Sequence, residues 1–490
     1  MPEPTESPES ASAVPPAPLS SASSIPLSSG SPVQIFEVST LYGAATLAAS
    51  VDAGQFGPPG AARRILLVSN NAATPEGTTA LSEMNGFDGL AQRFDEIVDW
   101  NEAIRPHHPS SWTPPRDESP LWERMFRHTW QLGAAPVELI VESVHVSPAK
   151  ALATIFSGSA IHVYADGLMS YGPTRERLPQ WLGCRIQRLL HLDLVPGLRP
   201  LLLAEHTVEP ETVPNDAFAK VLGELGEAAA GEPELARVAA GGPTAVLLGQ
   251  YLATLNILTP EEEEDLHVRM LRGAVAAGHE RIVFKPHPTA PARYSRVLQK
   301  AAADAGVQLH ILAGPVLAEA VYDRCRPTLV VGCFSTALLT AATYHGIPIA
   351  RVGTEPLLDR LRPYQNSNRV PVTIVDFVVP DLEGGQEYAP ITRQQVDDVE
   401  ALLRTVGYCM QAKLHPLLRE DAIAWLSTHL DEITVRYFKR RRLTALALPG
   451  GGTSIRARLL RNSPSARWAA RRVRAAQRRL AVRDRTRSAG

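Results

Sequence analysis

The sequence predicts an α/β protein built from two Rossmann-like domains and closed by C-terminal helices. Three observations carry that prediction. The chain has 490 residues, which suits two domains of roughly 150–200 residues each plus tails. Short, almost wholly apolar runs alternate with helix-like runs, as strands buried on both faces of a parallel sheet require. The alternation occurs twice, with a charged stretch rich in Ala and Gly at 207–243 between the two series.

The elements follow in order. Residues 1–31 are mostly Pro, Ser, Ala and Glu, with almost nothing large to bury, and read as a disordered leader. Residues 34–38 read as a strand and 41–51 as a helix. The run 64–69 is a nearly all-apolar strand, 94–99 a third, and 106–120 a polar, proline-rich loop. A strand at 137–141, a helix at 149–156 and a strand at 160–165 complete the first series. The stretch 207–243 reads as a linker carrying a helix. The second series has strands at 244–248, 281–285, 307–312, 328–331 and 347–352. Helices are expected between them at 261–277, 293–305, 316–322 and 335–345, the first capped by Thr259-Pro260. Residues 393–435 read as closing helices. The chain therefore divides into the leader, an N-terminal domain over 32–215, a C-terminal domain with its closing helices over 216–438, and a tail over 439–490.

Composition narrows the class. Apolar residues make up 44% and charged residues 20%, ordinary for a globular protein with a sizeable core. The formal net charge is −2, so global charge gives no reason to expect nucleic acid. The four cysteines, Cys184, Cys325, Cys333 and Cys409, form no CxxC pair and read as reduced thiols of a cytosolic protein. The N-terminus lacks the basic and apolar regions of a secretory signal. No run reaches the ~18 apolar residues that span a bilayer; the longest, 189–203, is broken by Asp193, Pro196 and Arg199. A cytoplasmic location is the expectation.

In doubly wound folds, ligands bind beyond the carboxyl ends of the strands, so the residues just after each strand carry the chemistry. Asp166 follows the strand 160–165, beside Gly167, which permits close backbone approach. A carboxylate there takes a proton from an attacking hydroxyl or simply caps a turn. Lys285-Pro286-His287-Pro288 follows the strand 281–285. Its prolines fix the backbone, so His287 is aimed at a phosphate leaving group or acts as general acid; an ordinary loop histidine is the alternative. Ser335-Thr336 joins a strand to a helix N-terminus, a natural phosphate site and also an ordinary N-cap. Gly249 and Gln250 form a tight turn or a donor contact. Glu319, early in its helix, bonds a ribose or balances the helix dipole.

Two Rossmann-like domains with these residues fit the GT-B glycosyltransferase architecture. In this order, Ala165-Asp166-Gly167, His287-Pro288 and Ser335-Thr336 resemble the motifs of the bacterial alpha-2,8-polysialyltransferase family, over residues 32–380. The resemblance implies an inverting transfer of sialic acid, or a related nonulosonic acid, from a CMP-sugar to a glycan or glycolipid acceptor, as in capsule polysaccharide synthesis. It implies that Asp166 is the base, that His287 is the acid or electrostatic partner of the CMP phosphate, and that Ser335 and Thr336 hold that phosphate. The N-terminal domain would take the acceptor and the C-terminal domain the donor nucleotide. Lys285, Pro288, Gly249, Gln250 and Glu319 complete the donor set. One position departs: where the family has its first motif acid, this chain has Ala165. The resemblance implies no cofactor and no metal, with Lys285, His287 and the helix N-terminus neutralising the phosphate. Two further readings stay open: a CDP-polyol phosphotransferase of the teichoic-acid type, and a non-catalytic nucleotide-sugar-binding homologue.

The tail is separate. From Lys439-Arg440-Arg441-Arg442 to Arg487 it is strongly basic, with Trp468, Val473 and Leu480 interleaved. It reads as an amphipathic segment suited to an anionic membrane face, at ~1 kcal/mol per basic residue, or as a solvated tail. Nucleic acid is not the expected partner.

Overall fold

The structure is a computed structural model that describes residues 31–242, 244–287 and 290–452. The expected leader and the arginine-rich segment 456–487 lie outside the described residues. Seven strands form the first sheet: β1 (Val33–Val38), β2 (Arg63–Val68), β3 (Glu96–Asp99), β4 (Val137–Val141), β5 (Ala160–Ala165), β6 (Ile186–Leu192) and β7 (Pro210–Val213). Five form the second: β8 (Ala245–Leu248), β9 (Arg281–Lys285), β10 (Gln308–Ile311), β11 (Leu329–Gly332) and β12 (Ile349–Arg351). Every pairing is parallel. The fold is α/β with two doubly wound domains, the GT-B arrangement.

Strand order decides where a ligand can sit. The first sheet runs β3-β2-β1-β4-β5-β6-β7 and the second β10-β9-β8-β11-β12. Each order reverses once, between β1 and β4 and between β8 and β11. At a reversal the connecting helices leave on opposite faces and open a crevice beyond the strand ends.

The strands fold as buried strands because both of their faces are covered. In β1, Ile35 belongs to the core on one side of the sheet and Phe36 to the core on the other, and both are fully buried. The second of these cores continues without a break into the C-terminal domain. The helix Asn215–Ala228 carries it across, packing on both the helix Leu41–Asp52 and the helix Ala318–Cys325. Its Phe218 meets Tyr42 of one domain and Tyr344 of the other, with ring centroids 5.6 and 5.0 Å away.

Each strand read from the sequence is present, and two are added. The stretch 207–243 is not a bare linker: β7 lies in it, paired with β6. Both strands escape the all-apolar pattern. In β6, Arg188 and His191 interrupt the run, and Arg188 is neutralised by Glu211 of β7 at 3.1 Å. The four residues of β7, Pro-Glu-Thr-Val, bury only Val213. A helix at Ser119–Thr129 also follows the proline-rich loop, beyond the elements that the sequence predicts. Its Phe126 stacks on Trp130, with centroids 4.4 Å apart.

The closing helices return to the first domain. Gly407, in the helix Arg393–Gln411, lies against Leu201 and Pro173. Residues 439–452 are folded on this helix. Arg442 donates to the carbonyls of Cys409 and Met410, and Lys439 pairs with Asp359. The opening of the basic run is thus held by protein partners. Of the four free thiols, Cys184 is exposed and the other three are buried. Among the described residues, no helix is long and apolar enough to cross a membrane.

Candidate active site

The two reversals face each other across one cleft of about 570 Å³ between the domains. Its first rim is acidic. Asp166, directly after β5, lines it, and so does Glu142, directly after β4. Val141 and Val163 are paired neighbours in these strands, so the two carboxylates leave adjacent strands on the same edge. Glu37 of β1 stands behind them, accepting the Glu142 backbone N–H at 3.3 Å. Ser39 donates to Glu142 Oε2 at 3.5 Å.

Crowded, desolvated carboxylates resist ionisation. Burial raises Asp166 to about 6. Burial, then the charges of Asp166 and Glu37, raise Glu142 to about 8, against the Ser39 hydrogen bond. Burial raises Glu37 to about 7, opposed by the Glu142 N–H. With values of about 6 and about 8, the coupled pair carries one proton between its two carboxyl groups near pH 7. A carboxylate with a value near neutrality is tuned for accepting a proton.

The second rim is built to receive negative charge. Gly249 follows β8, and its backbone N–H donates to the Lys285 carbonyl at 2.9 Å. A side chain there would crowd its neighbours: a Cβ would stand 2.9 Å from the Phe284 ring and 3.0 Å from the Pro286 Cα. His287, after β9, lies against the Tyr251 ring with centroids 4.0 Å apart. Burial first, then Lys285, lowers His287 to about 4, so it is neutral at pH 7. Burial lowers Lys285 itself to about 8, and its ammonium donates to the Gly314 carbonyl at 2.9 Å. Lys285 does not line the cleft, and its charge reaches His287. Ser335 caps the helix Thr336–His345 by accepting the Ala337 N–H at 3.3 Å. Thr336 Oγ1 accepts the Leu168 N–H at 3.5 Å and so joins the two domains beside Gly167.

The structure brings Asp166, Gly249, Gln250, His287, Ser335 and Thr336 to one cleft. Glu319 is not on its wall; it is buried, and its Oε1 accepts from Thr340 at 2.8 Å. Pro288 lies outside the described residues. Two buried polar atoms on the wall have no partner, Ser170 Oγ and Gln250 Oε1. Buried groups of this kind are normally satisfied, so a polar ligand is what would complete them.

Other contributors were not singled out from the sequence. Glu142 satisfies the same end-of-strand rule as Asp166, and Glu37 is a charge inside an apolar strand; both signals were present. Glu263 had none. It belongs to a run of four glutamates, and only the fold turns this one inward. Fully buried, it accepts the N–H groups of Leu252 and Ala253, both at 2.8 Å, and the Tyr294 hydroxyl at 3.1 Å. It thereby anchors the loop that carries Gln250 and Tyr251. Among the described residues, no group of three or more His, Cys, Asp or Glu is arranged to hold a metal ion.

Comparison with known proteins places the chain. The family model described as alpha-2,8-polysialyltransferase matches residues 34–354. No curated protein matches. Among solved structures, a sialyltransferase from Photobacterium damsela is 12% identical, covering 70% of this chain and 77% of its own, with a TM-score of 0.40. The 2,6-sialyltransferase of Photobacterium sp. JT-ISH-224, in a ternary complex with CMP and lactose, is 13% identical, covering 73% and 81%, with a TM-score of 0.41. A glycosyltransferase from Rickettsia africae is 10% identical, covering 84% and 99%, with a TM-score of 0.36.

Proposed function

The chain belongs to the alpha-2,8-polysialyltransferase family, and from that premise we propose that it moves sialic acid, or a related nonulosonic acid, from a CMP-linked donor to a glycan hydroxyl with inversion. It is a glycosyltransferase by its family. The observation that carries the finer reading is the polarity of the cleft. One rim holds a buried carboxylate tuned near neutrality, and the other holds a histidine and a helix N-terminus.

In this reading the acceptor hydroxyl approaches Asp166. Its O–H bond breaks toward the carboxylate as the new glycosidic bond forms, and the sugar–phosphate bond breaks with its electron pair leaving on CMP. Attack from the rim opposite the leaving group inverts the anomeric centre. The phosphate would lie at the N-terminus of the helix Thr336–His345, where Ser335 and Thr336 and the free N–H groups favour an anion. Gly249 lets backbone come close, and Gln250 Oε1 would accept from the nucleotide or sugar. His287 enters neutral and donates one hydrogen bond. The arriving phosphate would raise its affinity for a proton, making it an acid for the leaving group. Lys285 adds positive potential from behind. These groups can neutralise the phosphate, which supports transfer without a metal. The arginine-rich segment 456–487 would hold the enzyme on an anionic membrane face near a lipid-linked acceptor.

The test is CMP release from CMP-sialic acid, with and without an oligosialic acid acceptor, by the wild type, Asp166→Ala and His287→Ala. Acceptor-stimulated release that both substitutions abolish is the expected result. Release accompanied by phosphorus in the acceptor product would overturn glycosyl transfer in favour of a phosphotransferase. No release with any CMP- or CDP-linked donor would mean a binding homologue.

A further inference from the structure

Besides Asp166, the cleft wall carries one further carboxylate among the described residues, Glu142. The two stand at the ends of adjacent, in-register strands. No lysine, arginine or histidine pairs with either one among the described residues. The Ser39 hydroxyl donates to Glu142 Oε2, and the Glu142 backbone N–H donates to the Glu37 carboxyl. The same wall presents the unpartnered Ser170 Oγ and Gln250 Oε1, both more than nine-tenths buried. This is therefore a place prepared for a polar ligand and not merely an acidic cluster.

We propose that Glu142 is a positioning residue for the general base: it holds the single proton of the Glu142–Asp166 pair at neutral pH, so that Asp166 carries the charge, and losing that proton switches the enzyme off. The inference rests on the transfer reading above and deepens it. Two carboxyl groups sharing one desolvated rim cannot both ionise without cost. Below about 6 the base is protonated. Above about 8 Glu142 also ionises. A second negative charge then faces both the hydroxyl oxygen that must develop charge and the anionic donor. The reaction is confined to the window between.

Other groups face this pair. Glu37 lies behind it on β1 and is raised to about 7 by burial. Tyr164 of β5 is buried and raised far above neutrality. His145 and Arg175 line the same rim, with His145 lowered by burial and then by Arg175. His287 faces it across the cleft. Glu319 and Tyr42, both buried and raised, also feel the Asp166 charge. Glu37, at about 7, titrates inside the window and is the control.

The experiment is kcat/KM for acceptor-stimulated CMP release from CMP-sialic acid across pH 5 to 9.5. Wild type, Glu142→Gln and Glu37→Gln are compared, with Tm recorded at each pH. Gln is the neutral mimic of protonated Glu. Glu142→Gln should keep the acid limb and lose the alkaline limb. Glu37→Gln should keep both limbs, with the alkaline one moved to lower pH because the Glu37 charge helps raise Glu142. Wild-type turnover with an unchanged alkaline limb in Glu142→Gln overturns the proposal while leaving the transfer reading intact. So does a folded Glu142→Gln that is inactive at every pH, or loss of the alkaline limb in Glu37→Gln. A wild type that releases no CMP overturns the transfer reading itself, and this inference with it.

Discussion

At the carboxyl ends of β1, β4 and β5 the chain gathers Glu37, Glu142 and Asp166. At the ends of β8, β9 and β11 it presents Gly249, His287 and a capped helix N-terminus. Both rims are made by one device, the reversal of strand order in a parallel sheet. Their chemistry is opposite. On the first, burial and mutual repulsion push carboxylates up toward neutrality. On the second, burial and a neighbouring ammonium push a histidine down. The contrast shows that a doubly wound domain supplies a place and not a reaction. The residues at the strand ends decide whether that place takes protons or anions.

Substitutions can break this contrast one rim at a time. The largest effect is expected for Asp166→Ala. Acceptor-stimulated CMP release should fall by about 10³, the scale of general-base loss, while CMP affinity measured calorimetrically stays within about twofold because the second rim is intact. Equal losses of affinity and rate would mean that the rims do not divide the work. Gly249→Ala acts on the other rim. The new methyl group meets the Phe284 ring and the backbone of Pro286, an overpacking worth about 1–3 kcal/mol. CMP affinity should drop roughly tenfold or more, with proton transfer on the first rim unaffected.

Glu263→Gln tests the support of the second rim. Gln can accept from only one of the two N–H groups that the carboxylate now satisfies. The buried loss should cost about 2 kcal/mol and lower Tm, and CMP affinity should weaken as Tyr251 and Gln250 loosen. The smallest effect on stability is expected for Ser335→Ala, whose lost helix cap costs about 1 kcal/mol and is read as a lower Tm.

A pH series sharpens the comparison. Glu37, Glu142 and Asp166 are all raised above their ordinary values, so the folded protein binds more protons than the unfolded chain between about pH 4 and 8. Their contribution is fullest at low pH, and stability is lost as pH rises through that window. Glu37→Gln should therefore raise Tm at pH 8 and leave it little changed at pH 4. A Tm gain at both pH values would mean that the residue is limited by packing and not by charge.

Legibility differed between the rims for physical reasons. Strands buried on both faces announce themselves as apolar runs, so β1, β2, β4, β5 and β8 were evident. β7 was not, because an edge strand of four residues with one buried side chain leaves no pattern. Asp166, His287 and Ser335 were legible from their places after strands and from the family motifs. Glu319 looked like a ligand contact by the same logic, yet its helix buries it against Thr340. Helix position alone does not tell which way a side chain faces.

The α/β class, the presence of two domains, the family and the residues that follow the strands were all readable from the linear chain, because period, composition and order are properties of it. Tertiary structure alone decided that β1 and β4, and likewise β8 and β11, are the neighbours at which each sheet reverses. It decided that the two reversals share one cleft and that Glu142 joins Asp166 there. Strand order is set by long-range packing, and no local pattern encodes it. The depth of burial that retunes the carboxylates and the histidine comes from that same packing, so the sequence could name the groups while only the fold could set their proton affinities.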